Sequence, residues 1–154
     1  QHEIDEKKNE EQIATTLLPF NLFLKNIGTF TPLTNYVSPY RRGKILPFNS
    51  ETNSVDKVFF LLPQSLAPKD TSEIGMIIKL TRQQKKVGTY DDNTFAFQRS
   101  ISLRFYDLKT SEVFGGMTIY GTPPPNSKSD NGDNYGGDPE KSLIEFFENL
   151  PLKK

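Results

Sequence analysis

The chain contains no cysteine, and its 154 residues include a single histidine, His2. Without thiols there is no disulfide framework, no thiolate metal site and no cysteine nucleophile. One imidazole in a charged leading segment also excludes a histidine general acid, a catalytic triad and a multi-histidine metal site. No run approaches the roughly 20 consecutive apolar residues of a transmembrane segment. An excess of one charge is missing too, because nineteen basic and nineteen acidic residues cancel. The chain as a whole therefore exerts no pull on nucleic acid or an anionic bilayer. No glycine-rich phosphate cradle follows a strand and opens a helix.

What is present is a modest apolar content built from large rings, twelve Phe and six Tyr. The length suits one domain, able to bury roughly 70% of its unfolded surface. Residues 1–12 are charged and nearly free of core formers. That composition cannot offset its ordering entropy, so the expectation is a flexible N-terminal tether leading into one globular domain over residues 13–154. An opening on Gln1 and a charged tether fits a signal peptide removed upstream, with a lipid-modified Cys before Gln1 as one form of it. A trimmed boundary gives the same sequence. The expected location is extracytoplasmic, in the periplasm or at the cell surface.

The clearest structural signal runs from Phe95 to Tyr120. Phe95, Phe97, Ile101, Leu103 and Phe105 alternate with Gln98, Ser100, Ser102 and Arg104, the period of a strand with one buried and one wet face. A polar link over residues 107–112 leads into a second alternating run, Val113 to Tyr120, and the pair predicts an antiparallel hairpin over 95–120. Further strands are expected at Lys44–Phe48, at Val55–Leu62 and at Ile74–Leu80, the last fraying toward Val87 as a lysine-bearing edge. Pro19 divides a short helix from a strand in residues 13–24. Asp138-Pro139-Glu140 carries helix-start chemistry, and Leu143, Ile144, Phe146, Phe147 and Leu150 then form one apolar stripe. Strands first and one helix last predict an α+β fold, a mainly antiparallel sheet of about five strands with the C-terminal helix packed on it. A β-sandwich with a terminal helix is the alternative.

Gly43-Lys44 opening a strand, Val87-Gly88-Thr89-Tyr90 before the hairpin, Gly121 followed by Pro123-Pro124, and Tyr135-Gly136 ahead of Pro139 together span about residues 43–150. In these points the chain resembles a family of uncharacterised bacterial proteins, exported or lipoprotein-like, with no established activity. The resemblance implies one compact domain and export, and it carries over no catalytic residue.

Each chemical candidate has a plain structural reading beside it. Asp91-Asp92 offers carboxylates, but neighbours on a strand face opposite ways, and the pair suits a turn. Asp130, Asp133 and Asp138 supply the hard oxygen ligands calcium prefers. No Glu closes that loop at EF-hand spacing, however, and Asp138 is needed as a helix cap, so no metal and no cofactor is assigned. Arg41, Arg42 and Lys44 beside Tyr36 and Tyr40 form a basic and aromatic cluster suited to a phosphate, carboxylate or sugar, or to a surface loop pinned by tyrosines. Arg99 falls in phase with Phe97 and Ile101, and a charge on that face needs a carboxylate or a place at the rim.

The function expected from these features is a non-enzymatic, exported and lipid-anchored or otherwise tethered module. It binds a protein or a cell-envelope component through Tyr36, Tyr40, Arg41, Arg42, Lys44 and Arg99, with no nucleic acid and no transmembrane segment. The alternative is a small-ligand or carboxylate-based hydrolytic domain using Asp91, Asp92, Arg99 or Arg41.

Overall fold

A computed structural model of the chain describes residues 2–127 and 131–154. In chain order its elements are α1 (His2–Lys25), β1 (Thr31–Pro32), β2 (Lys44–Asn49), β3 (Ser54–Val55), β4 (Ile74–Thr89), β5 (Phe95–Asp107), β6 (Glu112–Tyr120) and α2 (Glu140–Glu148). Short 3-10 turns lie at Lys57–Leu61 and Thr71–Glu73. No helix among the described residues is long and apolar enough to cross a membrane.

The expected hairpin over 95–120 forms: β5 and β6 are antiparallel, with Asp107 opposite Glu112 and Ser100 opposite Tyr120. On its other side β5 pairs antiparallel with β4, from Met76 opposite Asp107 to Thr89 opposite Phe95. Asp91 and Asp92 sit in the reversal between these strands, where the Tyr90 N–H donates to the Thr94 carbonyl and Asn93 takes φ 65°. Directly opposed residues share a sheet face. Ile78, Phe105 and Phe114 therefore lie on one side, as do Leu80 and Leu103, all buried. That face is roofed by Leu143, Phe147 and Leu150 of the α2 region, by Phe20 and Leu24 of α1, and by Val58 and Phe59. At about 1.5–3 kcal/mol per large apolar side chain taken from water, this layer is the main source of stability.

The mainly antiparallel, five-stranded sheet is corrected by the structure. The sheet is mixed and six-stranded, in the order β1-β6-β5-β4-β2-β3, with β2 parallel to β4 and β1 parallel to β6. The described residues form one sheet, so the sandwich alternative fails as well. The cause lies at Asp56. Its Oδ1 accepts the Val58 N–H at 2.9 Å and caps the turn Lys57–Leu61, so the strand expected over 55–62 ends after Val55. The chain leaves the sheet, runs past the free edge of β2, where the Ile45 N–H donates to the carbonyl of the buried Leu66 at 3.0 Å, and returns at Ile74 on the other side of β2. Such a crossover makes the two strands parallel. An unbroken apolar run cannot by itself separate a buried strand from a turn with an apolar side; here Val58, Phe59 and Leu62 are buried while Phe60 and Leu61 are exposed.

The N-terminal segment differs too. α1 runs through Pro19 without becoming a strand, and the described residues of the expected tether, 2–12, are helical and exposed. Proline in a helix interior costs about 3 kcal/mol. The turn after it is anchored by Phe20, whose ring lies 5.1 Å from that of Phe59, and by Asn21, whose Oδ1 accepts the Val55 N–H at 2.8 Å. These tertiary contacts decide the conformation where local propensity does not.

Candidate functional site

The second sheet face is only half covered. At its lower end Phe30 packs edge-on against Tyr106 at 5.1 Å, and the Leu33 N–H donates to the Val113 carbonyl at 2.9 Å. From Leu33 the chain rises as a wall of Thr34, Asn35 and Tyr36, the last 81% exposed. Beside that wall an open groove of about 660 Å³ has Lys79, Thr81, Ser102, Arg104 and Thr118 along its floor.

The strand registers bring these residues together. Lys79 is directly opposite Arg104, Thr81 opposite Ser102, and Ser102 opposite Thr118, with 3.3 Å between the last two hydroxyl oxygens. Arg104 is opposite Gly115, and a β-bulge there leaves Gly116 as the extra residue, at φ 93°. A Cβ on Gly115 would stand 3.1 Å from Arg104 Cγ, so the bare backbone makes room for the arginine stem. Bulges of this sort re-aim side chains and are frequent beside binding sites. Among the described residues neither Lys79 nor Arg104 has a carboxylate partner. Like charges set directly across a strand pair repel. A bound anion would relieve that repulsion.

The cations near the ends of the roofed face are arranged in the opposite way. Asp107 is fully buried and accepts from the Tyr40 hydroxyl at 2.6 Å, Arg42 Nε at 2.8 Å and the Lys109 N–H at 3.0 Å. Burial pushes its carboxyl up, but the hydrogen bonds from Tyr40, Arg42 and Lys109 overcome that and hold it below the usual carboxylate range. Tyr40 is itself pushed up to about 12, first by burial and then by its bond to Asp107. A second node joins Arg82 to Asp56, with Nη2 at 2.9 Å from Oδ1, and to Glu140 at 3.0 Å; Asn49 adds a bond to Asp56 at 2.9 Å. Burial opposes ionisation of Asp56 as well, and Arg82 and the Val58 N–H outweigh it.

Of the candidates named from sequence the fold keeps Tyr40 and Arg42 together, the guanidinium 5.7 Å from the ring centre, and separates the others. Tyr40 and Arg42 belong to the Asp107 node. Arg41 donates to the Gly43 carbonyl at 2.8 Å, and Lys44 Nζ reaches the carbonyls of Gln64 and Ser65. Tyr36 alone of that cluster lines the groove. Arg99 lies at the rim with its guanidinium 5.5 Å from the Tyr135 ring centre. It borders a cleft of about 190 Å³ shared with Arg82, Asp138 and Glu140. Asp92 accepts the Thr94 N–H at 3.1 Å within its turn. Asp133 accepts the Phe95 N–H at 2.7 Å and Asp138 the Glu140 N–H at 2.9 Å, while Asp130 lies outside the described residues. Among the described residues no group of three or more His, Asp or Glu is placed to hold a metal.

The sequence alternation puts Ser102 and Arg104 on the wet face but misses Lys79 and Thr81 as their companions. The overlooked signal was Gly115-Gly116 inside an alternating run, since paired glycines within a strand mark a bulge or a close approach. No family model matches the chain, and comparison with curated proteins and with solved structures gives no match either.

Proposed function

We propose that the protein is a binding module that holds an anionic ligand against the open sheet face, without chemical turnover. The observation that carries this reading is the Lys79–Arg104 pair, two directly opposed cations that the described part of the chain leaves without an acid. Hydroxyls of Thr81, Ser102 and Thr118 line the same floor and suit the remaining lone pairs of a carboxylate or phosphate. Size supports the choice of site: ligand pockets run to about 300–1,000 Å³, a range that includes the groove of about 660 Å³. A hydrolytic reading needs carboxylates gathered in a pocket with Arg99, and the Arg99 cleft holds two, Asp138 and Glu140. At about 190 Å³ it is small for a substrate, and Glu140 there is already committed to Arg82.

The test is a citrate titration of the 15N-labelled chain. Saturable shifts are expected at the amides of residues 102–104 and 115–118, and they disappear in a Lys79→Gln/Arg104→Gln double variant. Shifts that fall elsewhere, or that persist unchanged in the double variant, sink the reading.

A further inference from the structure

The outer edge of β6 is bare beyond its first residues. β1 pairs with it only at Glu112 and Val113. From Gly116 to Tyr120 the strand bonds to β5 on one side and, among the described residues, to no strand on the other. The Gly121 N–H donates to the Arg99 carbonyl at 2.9 Å, while Tyr120 stands opposite Ser100. In an antiparallel ladder that geometry turns the N–H and C=O of Tyr120 outward, and the two-residue repeat does the same at Thr118. Native edges are usually blunted by lysine, proline or charge. Residues 116–120 read Gly-Met-Thr-Ile-Tyr, with none of these. The sheet's other long unpaired edge, β4 beyond Leu80, carries Arg82, Lys85 and Lys86.

This bare edge adjoins the cation pair. A strand added outside β6 would place alternate side chains over the open face. Gly115 is the β6 residue standing between such a side chain and Arg104, and it has no side chain to interpose. Lys79 lies one strand further in.

Resting on the anion-binding reading above, we infer that the ligand is an extended acidic segment of another protein. It adds as a strand along Gly116–Tyr120 and lays carboxylates across Gly115 onto Arg104 and Lys79. Main-chain bonds at Thr118 and Tyr120 supply affinity, and the cations select acidic sequence. A second copy of this chain is the poorer occupant, because its own β6 edge brings no carboxylate to the pair.

The test uses the full chain and a fluorescent acetyl-Thr-Glu-Val-Glu-Val-Glu-Thr-amide, followed by anisotropy at low salt. The expected result is saturable binding that weakens at least about tenfold, or about 1.4 kcal/mol, in each of three arms. These are alternate N-methylation of the peptide, replacement of its Glu by Gln, and Arg104→Glu in the protein. Thr118→Pro removes an N–H that already faces outward, as edge strands tolerate, and gives the same loss. Because the N-methylated peptide meets the unaltered protein, a variant that misfolds does not decide the outcome. Equal binding of the N-methylated and parent peptides, still dependent on Arg104, overturns strand addition and leaves the groove an anion site. No binding of the parent peptide at millimolar concentration overturns the inference; if citrate also leaves the groove amides unmoved, the underlying reading falls with it.

Discussion

The two faces of the sheet treat positive charge in opposite ways. On the roofed face Arg42 and Arg82 are tied to buried carboxylates, Asp107 and Asp56, each of which also accepts backbone or side-chain bonds that complete its shell. On the open face Lys79 and Arg104 confront one another and, among the described residues, neither has a carboxylate partner. The first arrangement spends its charges on holding loops to the sheet: Asp107 ties the segment around residue 40 and the 108–111 turn to the end of β5, and Arg82 ties Asp56 and Glu140 to β4. The second commits neither cation to a carboxylate among the described residues. Position in the fold, more than residue type, separates a structural cation from an available one.

The largest effect is expected from breaking a roofed node. Asp107→Ala leaves the part-buried Arg42 guanidinium without its carboxylate and the Tyr40 hydroxyl without its acceptor, and removing one partner of such a node costs more than an exposed ion pair is worth. Urea unfolding of the variant reads this directly, and a loss under about 1 kcal/mol, the scale of exposed pairs, would show the node to be superficial. The same carboxylates fix the acid side. Both are depressed below the ordinary value of 3.8. Their contribution is therefore fully present above that pH and is lost as pH falls through the folded values.

Tyr40 gives the next effect, on the alkaline side. Its pKa rises from 10.0 to about 12 in the folded protein. A raised value means that the neutral phenol is the favoured folded form, so its contribution is complete below pH 10 and drains away as pH climbs from 10 toward 12. Tyr40→Phe removes that slope. It also loses a hydrogen bond to a charged group, worth about 1.5–3 kcal/mol, so the variant is less stable at neutral pH and the gap closes above pH 10. Parallel stability curves for the two proteins between neutral pH and pH 12 would contradict the assignment.

Much of this contrast was legible before the structure, and the illegible part has physical causes. The β5 alternation exposed its wet face, with Ser102 and Arg104 on it, because a period of two is local information. The α2 stripe was equally local. Parallel pairing of β2 with β4 was hidden, since it depends on Asp56 capping a turn in a stretch whose Val58-Phe59-Phe60-Leu61-Leu62 run reads as strand. Continuity of α1 through Pro19 was hidden for a related reason: Phe20 and Asn21 find partners near residues 55–59 that proline chemistry says nothing about. The groove needed register as well as pattern. Lys79 and Arg104 are distant in sequence and become neighbours only when β4 and β5 align, whereas Tyr40, Arg41, Arg42 and Lys44 looked like a cluster because they are adjacent in the chain. Adjacent residues on extended backbone point different ways, and the fold gave three of these cationic side chains three different carbonyl or carboxylate partners.

The smallest expected effect has the opposite sign from the first. Lys79→Gln keeps most of the aliphatic stem over the sheet and removes one of two directly opposed like charges, so the variant should equal the native protein or exceed it by about 0.2–1 kcal/mol, the usual scale of a cross-strand pair. Salt offers an internal check, because at 1 M ionic strength the Debye length is roughly 3 Å and the advantage should shrink as repulsion in the native protein is screened. Arg104→Gln is expected to behave the same way, though its stem also covers Gly115 and the gain is correspondingly smaller. If Lys79→Gln instead destabilised the fold by more than about 1 kcal/mol, the lysine would be performing the same holding role as Arg42 and Arg82, and the distinction between the two faces would be lost. A gain in stability that coincides with loss of the citrate response is the sharper result. It would identify a charge kept for its ligand against the interest of the free fold.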